Sequence, residues 1–431
     1  MTRPLSIGLA GLGTVGAGVL KLLRDNTGLI AARAGRPIAV TAVSARDRHR
    51  ERGVSLAGLR WYDDPAALAA DPAIDVVAEL IGGAEGPARA LVESALAARK
   101  PVVTANKALI AVHGTELAAL AEETGTPLAF EAAVAGGIPV IKALREGLAA
   151  NRITGLSGIL NGTCNYILTQ MTEHGREFAD VLADAQRLGY AEADPSFDID
   201  GIDAAHKLAI LAALAFGRPV AFEAVHVEGI SRVSALDIGF AAELGYRIKL
   251  LGIARAAPGG GIETRVHPCM IPLSAPIARV DGVFNAVVIE GDAVGRIMLE
   301  GRGAGAGPTA SAVVADLIDL ARGRTTPVWG AHSGALSAAP SVPIAAHVGC
   351  YYLRLMVVDR PGVIADVTAI LRDLGVSLES MLQRGRAPGE AVPVVLVTHE
   401  TPESGMRAAL ERIAALDAVL EPPALIRIEP G

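Results

Sequence analysis

Six residues, Gly11-Leu-Gly-Thr-Val-Gly16, constrain this chain more than any other stretch. They follow the apolar run Leu5–Ala10 without a gap, and Gly18-Val-Leu-Lys-Leu-Leu continues in helical pattern. A GxGxxG run with a strand before it and a helix after it is a dinucleotide fingerprint. Gly11 makes the turn, Gly13 lets the backbone approach a pyrophosphate, and Gly16 lets helix and strand pack closely. Amides at the helix start then face the anion. Glycine-rich turns are common, but this one stands one strand from the N-terminus and ahead of repeating strand–helix units.

Those units carry further strands at Ile38–Ser44, Asp75–Ile81, Pro101–Thr104 and Pro127–Phe130. Strands alternating with helices form a parallel sheet covered on both faces, and ligands bind at the strands' carboxyl ends. The second strand ends in Ala45-Arg46-Asp47-Arg48. Arg46 suits a 2′-phosphate and hence NADP, whereas Asp47 suits the ribose hydroxyls of NAD; a solvated basic turn is the bland alternative. Gly82-Gly83 and Thr104-Ala-Asn-Lys107 load two other strand ends, and Lys107 there points to a site role.

Beyond the nucleotide half, Glu131-Ala-Ala-Val134-Ala-Gly136-Gly-Ile138-Pro139 is a run of small residues. It suits either a tight crossover between domains or an ion held by carbonyl oxygens. A strand from Asn151 to Ile159 turns through Leu160-Asn-Gly-Thr163-Cys-Asn-Tyr166 into a helix. Thr163 near that start is suited to holding a carboxylate or amino group, or to capping the helix. Next comes Gly189-Tyr190-Ala-Glu192-Ala-Asp194-Pro195, leading through Asp198, Asp200 and Asp203 to Lys207. Asp203 and Lys207, four apart, share a helix face with the acid first. The apolar run after Lys207 sets this lysine at the edge of a core, beside acids, which is how a proton-transfer lysine is built. The rival reading, a calcium loop beginning at Ser196, fails because position 12 would be Lys207 instead of glutamate.

From Val220 to Val294 short strands and turns suggest an α+β region with a mixed sheet and a dimer interface. Gly301–Thr309 is a second glycine-rich loop that opens a helix, and either closes over the cofactor or acts as a hinge. Residues 323–349, rich in Gly, Ala, Ser and Pro, read as a linker. The tail then follows the order βαββαβ, which is ferredoxin-like, with Asp359-Arg-Pro-Gly-Val363 turning into its first helix. It suits an oligomerisation piece or a small-ligand module.

The expected fold class is therefore α/β. It comprises a Rossmann-like doubly wound domain (1–135), an α+β substrate and dimerisation domain (136–322), the linker, and a ferredoxin-like domain (350–431). A net charge of -7 over 431 residues leaves no electrostatic footprint for nucleic acid. No apolar stretch spans a bilayer, and no secretory leader is evident. Three cysteines without metal-ligand spacing suit a reducing compartment, so a cytoplasmic enzyme is expected.

Taken in order, Gly-Leu-Gly-Thr-Val-Gly, Thr-Ala-Asn-Lys, Leu-Asn-Gly-Thr-Cys-Asn-Tyr, Gly-Tyr-Ala-Glu-Ala-Asp-Pro, the Asp203/Lys207 helix and Gly-Ala-Gly-Ala-Gly-Pro-Thr-Ala-Ser-Ala-Val-Val resemble homoserine dehydrogenase. The tail resembles an ACT domain. With no aspartokinase segment before the first strand, the likeness is to the monofunctional type. The resemblance implies reversible, NAD(P)H-dependent interconversion of L-aspartate 4-semialdehyde and L-homoserine, a branch step toward threonine and methionine. It implies Lys207 as proton donor, Lys107 near the nicotinamide and the reacting oxygen, and Glu192 on the substrate amino group. Thr163, Tyr190, Asp198 and Asp203 would complete the pocket. Gly13, Thr14 and Val15 would meet the pyrophosphate, and Gly305 the cofactor from the second loop. A monovalent cation, sodium or potassium, would bind through Glu131, Val134, Gly136 and Ile138. Ala193 departs from the proline of many members, without consequence for the chemistry. Feedback inhibition by an amino acid, threonine first, and a homodimer or homotetramer are the implied partners. A sister dehydrogenase on another semialdehyde, or a non-enzymatic NADP sensor, are the alternatives.

Overall fold

The computed structural model describes residues 3–337, 339–384 and 388–431. Its first third runs β1 (Leu5–Ala10), α1 (Thr14–Asp25), α2 (Thr27–Ala34), β2 (Ile38–Ser44), β3 (Arg60–Tyr62), α3 (Ala66–Ala70), β4 (Val76–Glu79), α4 (Pro87–Ala97), β5 (Val102–Thr104), α5 (Lys107–Thr124) and β6 (Leu128–Ala129). These strands pair in parallel in the order β3-β2-β1-β4-β5-β6. That order places the ligand crevice at its reversal, between β1 and β4. β1 is buried along its whole length, as a strand covered on both faces must be. The sequence reading lacked β3: three residues at a sheet edge are too few for any periodicity to show.

The middle of the chain continues with α6 (Val140–Lys142), β7 (Ile153–Ile159), α7 (Gly162–His174), α8 (Phe178–Arg187), α9 (Ser196–Ile199) and α10 (Ile202–Phe216). Every residue of α10 from Asp203 to Ala213 is buried, the mark of a helix surrounded by core. Leu208 and Leu211 of α10 share one hydrophobic cluster with Leu91, Leu109 and Leu117 of the nucleotide half. α10 is therefore not a separate lobe but part of the core under the parallel sheet.

β8 (His226–Val227) and α11 (Ala235–Glu243) precede β9 (Tyr246–Ala256), β10 (Ile262–Pro272), β11 (Phe284–Gly291) and β12 (Gly295–Arg302). Short strands were expected here, yet β9 and β10 span 11 residues each. Gly252 and Pro268 lie inside them. A Cβ on Gly252 would lie 2.9 Å from Leu160 Cδ1, so the glycine admits the layer above. Pro268 falls between the β10 residues that pair with β8 and those that pair with the last strand, where a missing amide is tolerated.

α12 (Ala306–Ala321) then crosses back to the nucleotide half and packs on α1. A Cβ on Gly18 would meet the Ala306 carbonyl at 2.5 Å, and Val313 and Leu317 join the core on that side of the sheet. The tail runs β13 (Ser341–Val342), β14 (Val348–Val358), α13 (Val363–Asp373), β15 (Leu378–Gln383), β16 (Ala391–Thr398), β17 (Thr401–Pro402), α14 (Glu403–Ala414) and β18 (Ala424–Ile428). Its strand order β18-β14-β16-β15 is ferredoxin-like. β18 also pairs in parallel with β10, through Cys269 with Arg427 and Met270 with Ile428, so one sheet runs from the catalytic half into the tail.

The 323–349 segment connects these parts without hanging free. Trp329 is buried with its ring 5.3 Å from that of Phe130, and Gly114 leaves room for it, since a Cβ there would sit 2.9 Å from the indole. The Ser333 amide donates to Glu122, the Ser337 amide to the Gly217 carbonyl, and β13 pairs with β10. Trp329→Ala is expected to cost roughly 3–5 kcal/mol, measured as a lower urea midpoint of the full chain; an unchanged midpoint would show that the strap contributes no stability.

Candidate active site

The fingerprint folds as its glycines require. Gly11 has φ +96°, and a Cβ there would lie 2.3 Å from the Leu80 carbonyl; a Cβ on Gly16 would lie 2.0 Å from the Gly11 carbonyl. Gly13 has nothing within 4 Å of where its Cβ would be, and no side chain caps α1. The first-turn amides of α1, at Thr14 and Val15, are thus left for an anion. Gly305, with φ +116°, stands at the start of α12, beside the α1 contact made by Ala306. A cavity of about 490 Å³ continues from Gly11 and Gly13 past Ser44 to Arg46, Asp47 and Arg50. Arg46 is exposed on its wall. The Asp47 carboxylate accepts from the amides of His49 (2.8 Å) and Arg50 (3.2 Å), which ties it into its own turn.

On the other side of the crevice, buried Glu79 at the end of β4 accepts from the Ile81 amide (2.7 Å) and from the Thr104 hydroxyl (2.6 Å). The same Thr104 oxygen accepts from the Asn106 amide at 3.0 Å. Asn106 caps α5 through Leu109 and donates to the Gly83 carbonyl. This chain of contacts fixes the first residue of α5, Lys107. Glu79 escaped the sequence reading, and Asn106 stood there in a loaded strand end without a task of its own, because their work is done between strand ends that are far apart in the chain.

Lys107 Nζ lies 3.1 Å from one oxygen of Asp203, and Lys207 Nζ lies 2.7 Å from the other. Lys207 also donates to the Leu160 carbonyl at 2.7 Å. Asn161 caps α7 through the Cys164 amide, while its side-chain amide donates to Asp203 and to Asp198, each at 2.8 Å. Asp203 is buried, which disfavours its charge, but Lys207 and Lys107 outweigh that and hold its carboxyl well below the usual range. Asp198 moves the other way: burial and the Asp203 charge raise it, against hydrogen bonds from Asn161 and Thr163. The Thr163 hydroxyl reaches the Tyr190 carbonyl (2.8 Å) and Asp198 (3.2 Å), and the Tyr190 ring packs on Tyr166. Lys107 Nζ also stands 5.6 Å from the Phe197 ring centre. Asn161 sits in the Leu160–Tyr166 turn, but its sequence gave no sign that one amide would bridge two carboxylates.

Glu192 is exposed on the loop rim, where its main-chain carbonyl accepts from Gln186; no side-chain contact brings it into the lysine cluster among the described residues. Asp194 holds the loop by accepting from Ser196. Further off, Glu131 is buried with both carboxylate oxygens taken by the amides of Ile141 (2.9 Å) and Lys142 (2.8 Å). Burial and neighbouring Asp316 push its carboxyl up to about 7. Its side chain therefore starts α6. The Val134–Ile138 run turns through Ala135 (φ +55°) and Gly136 (φ +51°), packed under Gly303. Among the described residues no group of His, Cys, Asp and Glu is placed to hold a metal, and no helix is long and apolar enough to cross a membrane.

A doubly wound nucleotide fold facing a buried lysine–aspartate–lysine cluster defines an NAD(P)-dependent oxidoreductase. Family models match it as the homoserine dehydrogenase NAD-binding domain over residues 11–131, homoserine dehydrogenase over 139–318 and the ACT domain over 351–418. A curated homoserine dehydrogenase of Pseudomonas aeruginosa is 50% identical, with 99% of each chain covered. The solved homoserine dehydrogenase of Thiobacillus denitrificans is 51% identical over 99% of both chains, with a TM-score of 0.94. A hyperthermophilic archaeal homoserine dehydrogenase solved in complex with NADPH is 28% identical, covering 74% of this chain and 97% of that one, with a TM-score of 0.62. The chain belongs to the homoserine dehydrogenase family.

Asn161→Ala removes the bridge between Asp198 and Asp203. Losing hydrogen bonds to charged groups, worth roughly 1.5–3 kcal/mol, is expected to lower kcat/KM about 10- to 100-fold in steady-state assays, with the circular-dichroism spectrum preserved. Wild-type kinetics would remove Asn161 from the site.

Proposed function

We propose that the chain interconverts L-aspartate 4-semialdehyde and L-homoserine, with Lys207 as the proton donor in the reducing direction. The observation that carries this is the donor count at Lys207. An ammonium has three protons; Asp203 and the Leu160 carbonyl take two, which leaves one for a substrate oxygen. The ammonium serves as proton source and as positive charge beside a developing alkoxide. Asp203 keeps both lysines in place. Lys107, less buried than Lys207, would approach the same oxygen from the nucleotide side. Glu192 would take the substrate amino group, with Thr163, Tyr190 and Asp198 as the remaining pocket wall.

The nicotinamide cofactor, when bound, supplies or accepts the hydride. The open amide face at Gly13, Thr14 and Val15 supports a pyrophosphate there, and Gly11, Gly16, Thr104 and Gly305 shape the backbone around it. NADP is the better supported form, because one Asp47 oxygen is engaged by its own turn and Arg46 stands exposed on the cavity wall to meet a 2′-phosphate. Glu131, Val134, Gly136 and Ile138 supply oxygen donors, mostly main-chain, of the kind that hold a hard cation, and a monovalent ion fits a set with a single carboxylate. The ACT domain supports regulation by an amino acid, with threonine as the first ligand to try. A cytoplasmic homodimer or homotetramer completes the reading.

Lys207→Ala is expected to lower kcat by roughly 10²–10⁴-fold while NADPH affinity, read by fluorescence titration, stays nearly unchanged; wild-type turnover would sink the assignment. Running homoserine against a panel of other hydroxy and amino acids separates a sister dehydrogenase. Arg46→Ala should raise KM for NADP about 10-fold or more and leave KM for NAD unaffected; equal effects on both would point to a merely solvated arginine.

A further inference from the structure

His206 stands beside Lys207 in the first turns of α10. It is 7% exposed, and its Nδ1 is buried without a hydrogen-bond partner among the described residues. Leaving a buried polar atom unpaired is unfavourable, so what seats this ring is contact with its faces. The imidazole stacks on Phe222, with ring centres 4.2 Å apart and planes inclined by 22°. Phe197 is its second aromatic neighbour, at 5.6 Å between centres and a tilt of 36°. Ring pairs of this kind attract beyond the area they bury.

Phe197 is itself 43% exposed. It belongs to α9, a four-residue helix with no fully buried residue. An exposed ring on so short an element gains little from packing of its own. The Lys107 ammonium nevertheless lies 5.6 Å from the centre of that ring, within cation–π reach. Phe222, His206, Phe197 and Lys107 thus form one continuous line that ends on the lysine held by Asp203.

The imidazole suits this place only when uncharged, because a protonated ring would be a third cation beside Lys107 and Lys207. Burial and then Lys107 hold its proton affinity below the usual histidine range, with Lys207 acting the same way and Asp203 against them.

We propose that His206 is a positioning residue for the reaction: stacked on Phe222, it seats the Phe197 ring against Lys107 and keeps that ammonium turned toward the reacting oxygen. This rests on the place given to Lys107 under the proposed function, and names a second contact, besides Asp203, that holds it there. Homoserine oxidation with NADP is followed for His206→Ala, Phe197→Ala and the double variant, and for each in a Lys107→Ala background. Each single substitution should lower kcat/KM about 3- to 30-fold, with NADPH affinity by fluorescence titration unchanged. The double variant should be no slower than the poorer single one, since both remove the same contact. Without Lys107, neither substitution should cost anything further. His206→Phe, which keeps a flat ring, should restore most of the loss. Additive losses, or losses that persist without Lys107, would overturn the proposal, and so would a His206→Phe chain as slow as His206→Ala. Wild-type kinetics in Phe197→Ala would overturn it even if His206→Ala failed to fold. Failure of the wild-type chain to oxidise homoserine would overturn the proposed function, and this inference with it.

Discussion

The Asp203 carboxylate is the interaction on which the rest of this structure depends. Two ammonium groups from different parts of the chain, Lys107 at the head of α5 and Lys207 in the first turns of α10, meet on its two oxygens. Without it the two ammonium groups would be left as like charges close together, one of them buried, which disfavours both. Burying the carboxylate is itself unfavourable, so the geometry must be satisfied fully. Asn161 contributes the remaining contact. The cluster is an electrostatic joint between the nucleotide half and the middle of the chain.

That joint holds because both halves are built on a shared core. α10 is surrounded by apolar side chains that also cover one face of the parallel sheet, and α12 returns to cover the other beside α1. The chain thus leaves the nucleotide fold after β6 and comes back to it before the tail begins. Small residues make both approaches possible: Gly18 against Ala306, and Gly136 under Gly303. The second glycine-rich loop is held between these contacts, which is why Gly305 stands beside the start of α1.

The tail is bound to the catalytic half by more than the connecting strap. β18 extends the sheet of β10, and buried ionic contacts cross the junction, with Arg265 reaching Glu429 and Arg427 reaching Glu228. Charges this deeply buried tolerate little misalignment, so the two parts are positioned together. The 227–233 segment at this junction also packs against Ile199 and Asp200, beside the residue Asp198.

Local pattern made much of this legible. The fingerprint glycines, the Asp203/Lys207 spacing and the βαββαβ tail each follow from residue types at fixed short intervals, and each is found where that spacing requires. What had no local signature was missed or misread. β3 is too short for alternation, β9 and β10 run longer than the short strands expected of their region, and Trp329 in a small-residue stretch shows no period to mark it as core. The Glu131 carboxylate accepts from the amides of Ile141 and Lys142, a pairing that no local pattern shows. By itself the sequence determined the nucleotide fold and the spacing that sets Asp203 and Lys207 on one helix face, because those depend on backbone freedom and helical periodicity. Only the tertiary structure decided that Lys107 and Lys207 share one carboxylate, that Asn161 bridges two acids, and that one Asp47 oxygen accepts from the amides of its own turn. Those contacts join residues tens of positions apart, or turn on which way a side chain faces, and neither is written in local pattern.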